Sequence, residues 1–436
     1  MTPQQPYPTL ETALADPALR ELEIAWSDPY GRVQGKRLPA ARYPQATAGR
    51  GIGFCDGSLA WNAAGEVQPA ASLGAPDRGY PDAYAVPDPA TYRPLPWRPG
   101  AGQLLSDIHG HDGAPSPTTP RALLRRTLEH LARLGYTARA ALELEVYLLH
   151  PDGTPLSQGL HAYSLELANE LDPLLSRFTD ELTAYVPIES VLTEYGPGQA
   201  ELNLAHQDAL TAADDAFRLR YAVRELARRE GLLATFMAKP LGGQSGSSAH
   251  IHLSLWQDGR PAFAPEAGAE SKAARAAVGG LVRHLPAVTF YGAPTVNSYK
   301  RFEPGGFAPH RADWGGDDRS VAVRSLVDTP GSSRVELRTP GADANPYIAL
   351  AAALAAVVAG LEDGLDLPAP GLPGEPAKLL PGTLADATAA ARADTRLTAL
   401  LGEDFVRDST ALADSEWHAY TTEVTAWETD RYLRNL

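Results

Sequence analysis

Cysteine is nearly absent: Cys55 is the single one in 436 residues. One thiol can neither close a disulfide within the chain nor supply a thiolate cluster to a metal, which fits a reducing, cytoplasmic setting. Cys55 itself reads as a small apolar residue destined for the interior. Positive charge is in deficit as well, 38 Lys and Arg against 53 Asp and Glu, for a net charge of -15. That balance excludes the basic surface that nucleic acid or an anionic membrane requires and leaves small molecules or other proteins as partners. The most apolar run, alanine-rich Ile348 to Leu361, falls short of the roughly 20 residues needed to cross a bilayer and reads as a buried helix. The opening MTPQQPYPTL lacks the basic-then-apolar order of a secretory leader. Also missing are a GxxxxGK[ST] phosphate loop and a GxGxxG turn after a strand, so a nucleotide would have to be held by metals and arginines. There is no internal repeat and no low-complexity tail.

What is present is an ordinary globular composition, 44% hydrophobic and 21% charged, long enough for two or three domains. Residues 1 to about 105 are rich in proline, glycine and aromatics, with short apolar runs such as Leu22 to Trp26; they read as a small strand-rich domain. Within it Asp56 sits in an Asp-Gly-Ser turn. The repeated prolines from Tyr80 to Pro99 predict a long extended connection. Helices are predicted from Pro120 to Gly135, from about Ala209 to Glu230, over 272–290, and past Pro346 with a proline-rich break near 367–376.

The chemistry gathers around Lys239 to Trp256, KPLGGQSGSSAHIHLSLW. Ile251, Leu253 and Leu255 alternate with His250, His252 and Ser254, the period of a strand, so both histidines and Ser254 share one face. Three further stretches repeat the pattern: Glu143, Glu145 and Tyr147 in LELEVYLL, Glu201 and Asn203 in ELNL, and Arg334, Glu336 and Arg338 in RVELR. If these strands share a sheet, their polar faces line one cavity whose carboxylates repel unless cations lie between them. Glutamates with one or two histidines form a hard, oxygen-rich ligand set, suited to Mg2+ or Mn2+; zinc is the alternative that an HxH strand leaves open. Arg301, Arg319, Arg324, Arg334 and Arg338 fall in the segment that supplies Glu336, and guanidinium forks match carboxylate and phosphate oxygens. Gly305-Gly306 marks a loop able to move.

Taken together, Asp56-Gly-Ser, Glu143-Leu-Glu145, Glu194-Tyr-Gly-Pro-Gly-Gln-Ala-Glu201, Lys239-Pro through His250-Ile-His252, Asn297-Ser-Tyr-Lys-Arg301, Asp318-Arg319 through Arg324, and Arg334-Val-Glu-Leu-Arg338 resemble the glutamine synthetase family over most of the chain. The resemblance implies an α+β protein: a small N-terminal β-grasp domain over 1–105, then a larger catalytic domain over 106–436 whose curved antiparallel sheet and helices form the site. It implies a homo-oligomer of six-membered rings, often doubled to a dodecamer, with Asp56 acting in a neighbour's site. By position, Glu145, Glu194 and Glu201 look like ligands of one divalent ion, and Glu143, His250 and Glu336 like ligands of a second. Glu189, His252, Ser254, Arg324 and Arg334 resemble ATP-side residues, and Arg319 a phosphate-side one. Arg301, Arg338 and the backbone near Gly246 resemble a glutamate cradle; Asp56, Arg319 and Glu145 take catalytic positions. The implied cofactors are two or more Mg2+ or Mn2+ ions with ATP as co-substrate, and the implied reaction activates a carboxylate as an acyl phosphate for attack by an amine.

One position departs from the family pattern. Where ammonia-using members carry a glutamate on the loop after Asn-Ser-Tyr-Lys-Arg, this chain has Phe307. Ser245 and Asp318 stand where asparagine is usual. A phenyl ring takes no proton, though its face attracts an ammonium by roughly 0.5–2 kcal/mol. The expectation is therefore a ligase that joins glutamate to an organic amine, such as a polyamine or ethanolamine, with Phe307 lining the amine pocket. An ammonia-using glutamine synthetase is the alternative enzyme, and an inactive regulator that binds glutamate or nucleotide is the alternative of another class.

Overall fold

The computed structural model describes residues 7–68, 79–158, 162–172, 174–265, 270–303, 307–328, 331–367 and 378–436. Gly305-Gly306 and nearly all of the proline-rich break lie outside the described residues. The first six strands are β1 (Glu21–Ser27), β2 (Val33–Pro39), β3 (Ile52–Cys55), β4 (Asp82–Pro87), β5 (Arg93–Pro94) and β6 (Ala101–His109). They form a sheet in the order β2-β1-β6-β4-β3, with β5 added to β6. β1 and β6 run parallel at its centre and the other pairs are antiparallel, the mixed sheet that a β-grasp requires. Alternation in β1 buries Leu22, Ile24 and Trp26 in an apolar cluster with Phe54, Tyr92 and Leu104.

Two expectations fail in this region. The stretch from Tyr80 to Pro99 is not a bare connection but carries β4 and β5 with a short 3-10 turn between them. Its prolines are tolerated because Pro81 precedes β4 while Pro87 and Pro94 close strands, where a missing N–H disturbs the ladder least. Cys55 is exposed, since Phe54 faces the cluster and the next residue along the strand points the other way.

The second sheet is larger and curved. Its strands are β7 (Thr137–Leu149), β8 (Ile188–Thr193), β9 (Gln199–Leu204), β10 (Gln207–Asp208), β11 (Leu233–Thr235), β12 (Ala249–Gln257), β13 (Arg260–Pro261), β14 (Trp314–Gly315), β15 (Val323–Leu326) and β16 (Arg334–Leu337). The main order is β14-β15-β16-β12-β7-β9-β8. All four stretches expected to offer polar faces thus lie side by side. Their apolar faces, Leu142, Leu144, Leu202, Ile251, Leu253, Val335 and Leu337, are buried in one core with the long helices. The helices Pro120–Arg133, Ala209–Arg229 and Lys272–Gly292 match the sequence expectation closely.

Pro346–Glu362 is buried over most of its length. Asn345 caps it, accepting from the Tyr347 and Ile348 amides, while its own amide group donates to Asp28 O at 2.8 Å and Ser27 Oγ at 3.0 Å on the first sheet. A second tie between the sheets is Arg121, which holds Asp214 on one side and Asp88 and Asp107 on the other at 2.9–3.0 Å. No helix among the described residues is long and apolar enough to cross a membrane.

Candidate active site

Strand register brings the expected groups together. Glu145 lies opposite Glu201 and Glu143 opposite Asn203 across β7 and β9; His250 lies opposite Glu143 across β12 and β7. His252 faces Glu336, which in turn faces Arg324 on β15. Directly opposed side chains are about 4.5–5.5 Å apart at Cβ, so the four polar faces form one continuous wall. Glu194 joins from the loop after β8, where its backbone N–H donates to Gln199 O at 2.9 Å.

The wall lines a cavity of about 780 Å³. Around it stand Glu143, Glu145, Glu194, Glu201, His250, His252 and Glu336, then Arg301, Arg319, Arg324, Arg334 and Arg338, and the Gly246 and Phe307 segments. A second cavity of about 550 Å³ adjoins it, sharing Glu143, Asn203, His252 and Arg334 and adding Glu189 and Ser254. Glu189 is the extra residue of a bulge between Ile188 and Ser190. Asp56 does not line either cavity; it is buried at the start of a 3-10 turn after β3.

The electrostatics divide the wall in two. Burial, then the charges of Glu194 and Glu201, push Glu145 well above the usual carboxylate range. Burial raises Glu194 too, and burial with the charges of Glu143 and Glu194 pushes Glu201 up to about 8. On the other side burial also opposes the charged form of Glu143, but His250 Nδ1 at 3.1 Å and His252 Nε2 at 2.9 Å outweigh it and hold the carboxyl low. Glu336 is depressed likewise, with burial overcome by the histidines and by Arg338 and Arg324; Arg338 donates to it at 2.6 Å and Arg324 pairs with it and with Asp317. Buried carboxylates raised by mutual repulsion are a site short of positive charge, which divalent cations supply. The compact donor groups among the described residues are Glu143, Glu201 and His250, and Glu143, His252 and Glu336. The donor chemistry fits a hard divalent ion; relative to the sets that the resemblance implies, His252 rather than His250 groups with Glu143 and Glu336, His250 groups with Glu143 and Glu201, and Glu145 and Glu194 fall in neither group.

Arg301 is buried and reaches Ser248 Oγ at 3.0 Å and Thr339 O at 2.6 Å. A Cβ on Gly246 would stand 2.6 Å from Arg301 Cγ and 2.9 Å from Ala238 O, so only glycine fits beside that arginine. Several lining residues carried no sequence assignment. Gln199 Nε2 donates to Glu145 Oε2 and Gly246 O at 3.0 Å and to Ser247 Oγ at 3.1 Å, tying the carboxylate wall to the glycine segment; its place inside the Glu194 to Glu201 motif was the available signal. Tyr195 lies beside Phe307, ring centroids 5.0 Å apart. Tyr163 holds a left-handed backbone, φ 61°, at the same rim, and nothing in its local sequence marks it.

A carboxylate-lined basin on a curved antiparallel sheet, ringed by arginines, defines a class: α+β proteins built to hold a polyanionic substrate together with divalent cations. The model of the glutamine synthetase catalytic domain matches residues 117–432, and the chain belongs to the glutamine synthetase family. A gamma-glutamylethanolamide synthetase of Streptomyces coelicolor is 36% identical over 452 residues, covering 100% of this chain and 97% of the relative. A glutamate–isopropylamine ligase of a Pseudomonas species is 32% identical over 424 residues, covering 92% of each. The solved complex of GmaS with ADP superposes with a TM-score of 0.84 at 31% identity, covering 95% of this chain and 97% of that one.

Proposed function

We propose that the protein is an ATP-dependent glutamate–amine ligase whose acceptor is an organic amine. Family membership brings ATP and divalent metal use. The observation that carries the amine reading is Phe307, whose ring lies tilted against Tyr195 at the cavity rim where ammonia-using members place a carboxylate. The names of the two relatives, one an ethanolamide synthetase and one an isopropylamine ligase, support it.

In this reading Glu145, Glu194 and Glu201 hold one Mg2+ or Mn2+ ion, and Glu143, His250 and Glu336 hold another, with His252 beside them. Bound divalent ions neutralise phosphate charge and polarise the transferring group. The nucleotide spans the two adjoining cavities, toward Glu189 and Ser254 at one end and toward Arg324, Arg334 and His252 at the other. Arg301, Arg338 and the Gly246 backbone seat glutamate so that a γ-carboxylate oxygen attacks the γ-phosphorus and ADP leaves. Arg319 holds charge on the phosphoryl group. The acceptor, as the neutral amine, then attacks the acyl carbon; the carbon–oxygen bond to phosphate breaks, the nitrogen gives up a proton to the departing phosphate or to water, and the γ-glutamyl amide forms. Asp56 serves a neighbour's site in a ring of six or a pair of rings, a reading supported by its absence from its own chain's cavity. The division into a small domain and a catalytic domain is supported by the two sheets, with the boundary later than residue 105, since β6 carries the first sheet on to His109. A reducing, cytoplasmic setting agrees with the single cysteine.

The test is phosphate release with ATP, Mg2+ and glutamate against ammonium and a panel of organic amines. Turnover with an organic amine well above ammonium supports the reading. Ammonium as the best acceptor returns the chain to glutamine synthesis, and silence with every amine despite bound nucleotide makes it a regulator.

A further inference from the structure

Gln199 takes no part in the chemistry just described, although its side chain is fully buried beside the carboxylate wall and both ends of its amide are engaged. Oε1 accepts from the Gly196 N–H at 2.9 Å, inside the turn that begins at Glu194. Nε2 donates to Glu145 Oε2 and to Gly246 O at 3.0 Å, with Ser247 Oγ at 3.1 Å. These partners fix which way the amide points, since a backbone N–H needs an acceptor while a carboxylate and a carbonyl need a donor.

The partners belong to different parts of the site. Glu145 and Glu194 stand on the ion side, and Gly246 on the glutamate side. The Ser248 N–H donates to the same oxygen of Glu145, Oε2, at 2.9 Å, so two bonds fix the carboxylate's rotation and leave Oε1 as the oxygen for an ion. Ser248 Oγ in turn accepts from Arg301 at 3.0 Å. The turn has no slack. A Cβ on Gly196 would lie 1.9 Å from the Tyr147 hydroxyl oxygen and 2.8 Å from Gln199 Oε1, and that hydroxyl donates to Ser245 O at 2.7 Å. When Glu145 or the Glu194 turn moves toward an ion, it carries the Gly246 carbonyl along or leaves a buried polar group unpaired. With the carboxylates drawn into one arrangement, the amide is pinned, and the Gly246 segment is ordered before glutamate arrives.

We propose that Gln199 is the positioning residue that couples the two seats, so that a divalent ion at Glu145 and Glu194 tightens glutamate binding and glutamate tightens the ion by the same factor. The amide touches neither ligand in this role; it holds Glu145 and Gly246 in register. The inference rests on the proposed assignment of Glu145 and Glu194 to an ion and of Gly246 to glutamate, and adds how one seat is made to depend on the other.

Calorimetric titration of glutamate into the full-length protein, once stripped of metal and once saturated with Mn2+, tests it. In the wild type Mn2+ should tighten glutamate about tenfold or more, within the range usual for coupled sites. Gln199→Met, of similar length but without the amide, should bring that ratio to about twofold or less. Tyr147→Phe cuts the bond to Ser245 and spares the amide, so it should weaken glutamate in both states and keep the ratio. A wild-type ratio near one overturns the inference. A ratio kept in Gln199→Met overturns it too, because the coupling then runs directly between ion and glutamate, and a ratio lost equally in Tyr147→Phe reduces it to general loosening of the segment. Should Gln199→Met not fold, hydrogen exchange of the wild type read by mass spectrometry decides. Mg2+ without glutamate should slow exchange across 243–248, and protection confined to β7 and β9 overturns the coupling. No glutamate binding to the Mn2+-saturated wild type overturns the ligase reading along with it.

Discussion

Glu201 shows what a single residue reveals and withholds. Its carboxylate faces Glu145 across the strand pair and is raised to about 8. A folded value above the unfolded one means that the metal-free fold is relatively favoured at low pH and loses that stability as pH rises from the ordinary carboxylate range through about 8. The thermal midpoint of the chelator-treated protein should therefore fall between pH 6 and 8.5, with Glu201→Gln flattening the fall, and saturating Mg2+ should abolish it. Because the ion displaces the proton, Mn2+ affinity measured by calorimetry should tighten as pH rises toward 8, by up to about tenfold per unit for each coupled proton. Gly246 makes a different demand. In Gly246→Ala the new methyl meets Arg301, so the KM for glutamate should rise about tenfold or more with little change for ATP; equal KM values for glutamate would remove Arg301 from the cradle. Phe307→Glu should shift acceptor preference toward ammonium, read as the ratio of kcat/KM values. The donors were legible in the sequence because a period of two puts Glu143, Glu145, His250 and His252 on stated faces. Gln199, Tyr195 and Tyr163 were not, because their roles depend on contacts from distant segments, Ser247, Phe307 and Thr193 at the end of β8.

At the scale of elements, the helices were read well and one strand region poorly. Pro120, Asn345-Pro346 and Ser271 mark helix starts with the chemistry that capping needs, so boundaries fell within a few residues. The proline-rich stretch containing β4 and β5 misled because proline excludes only the interior of a ladder, and here prolines sit at strand ends. The bulge at Glu189 left no sequence signal at all. The pair of helices Lys272–Gly292 and Pro346–Glu362 cross where Gly280 and Gly360 meet: a Cβ on Gly360 would lie 2.0 Å from Ala276 O, and one on Gly280 2.1 Å from Ala356 O. Backbone cannot yield as a side chain can. Gly360→Ala should cost about 1–3 kcal/mol, seen as a lowered thermal midpoint with KM values unchanged in the protein that remains folded.

For the molecule as a whole, the sequence disclosed two sheets and the face on which the chemistry lies, but a single chain's sequence says nothing of its neighbours in space. Asp56 is the residue where this matters, buried in the small sheet's turn and not among the residues that line its own chain's basin. Subunits carrying Asp56→Ala and subunits carrying Glu336→Gln, each inactive alone, should recover part of the activity when coexpressed and purified as mixed rings through two tags. No recovery would place both residues in service of one chain's site.

β7 is 13 residues long and is bonded along one edge to β12 and β11 and along the other to β9 and β10. The same strand bears Glu143 and Glu145. Each of its paired amides is held by one of these two ladders, both interior to the sheet, so they belong to the slow class that exchanges through wide opening of the domain. The crowded negative charges are thus riveted to the part of the fold least able to relax. Their repulsion cannot be relieved by a local breathing motion; it is discharged by a proton, a cation, or unfolding.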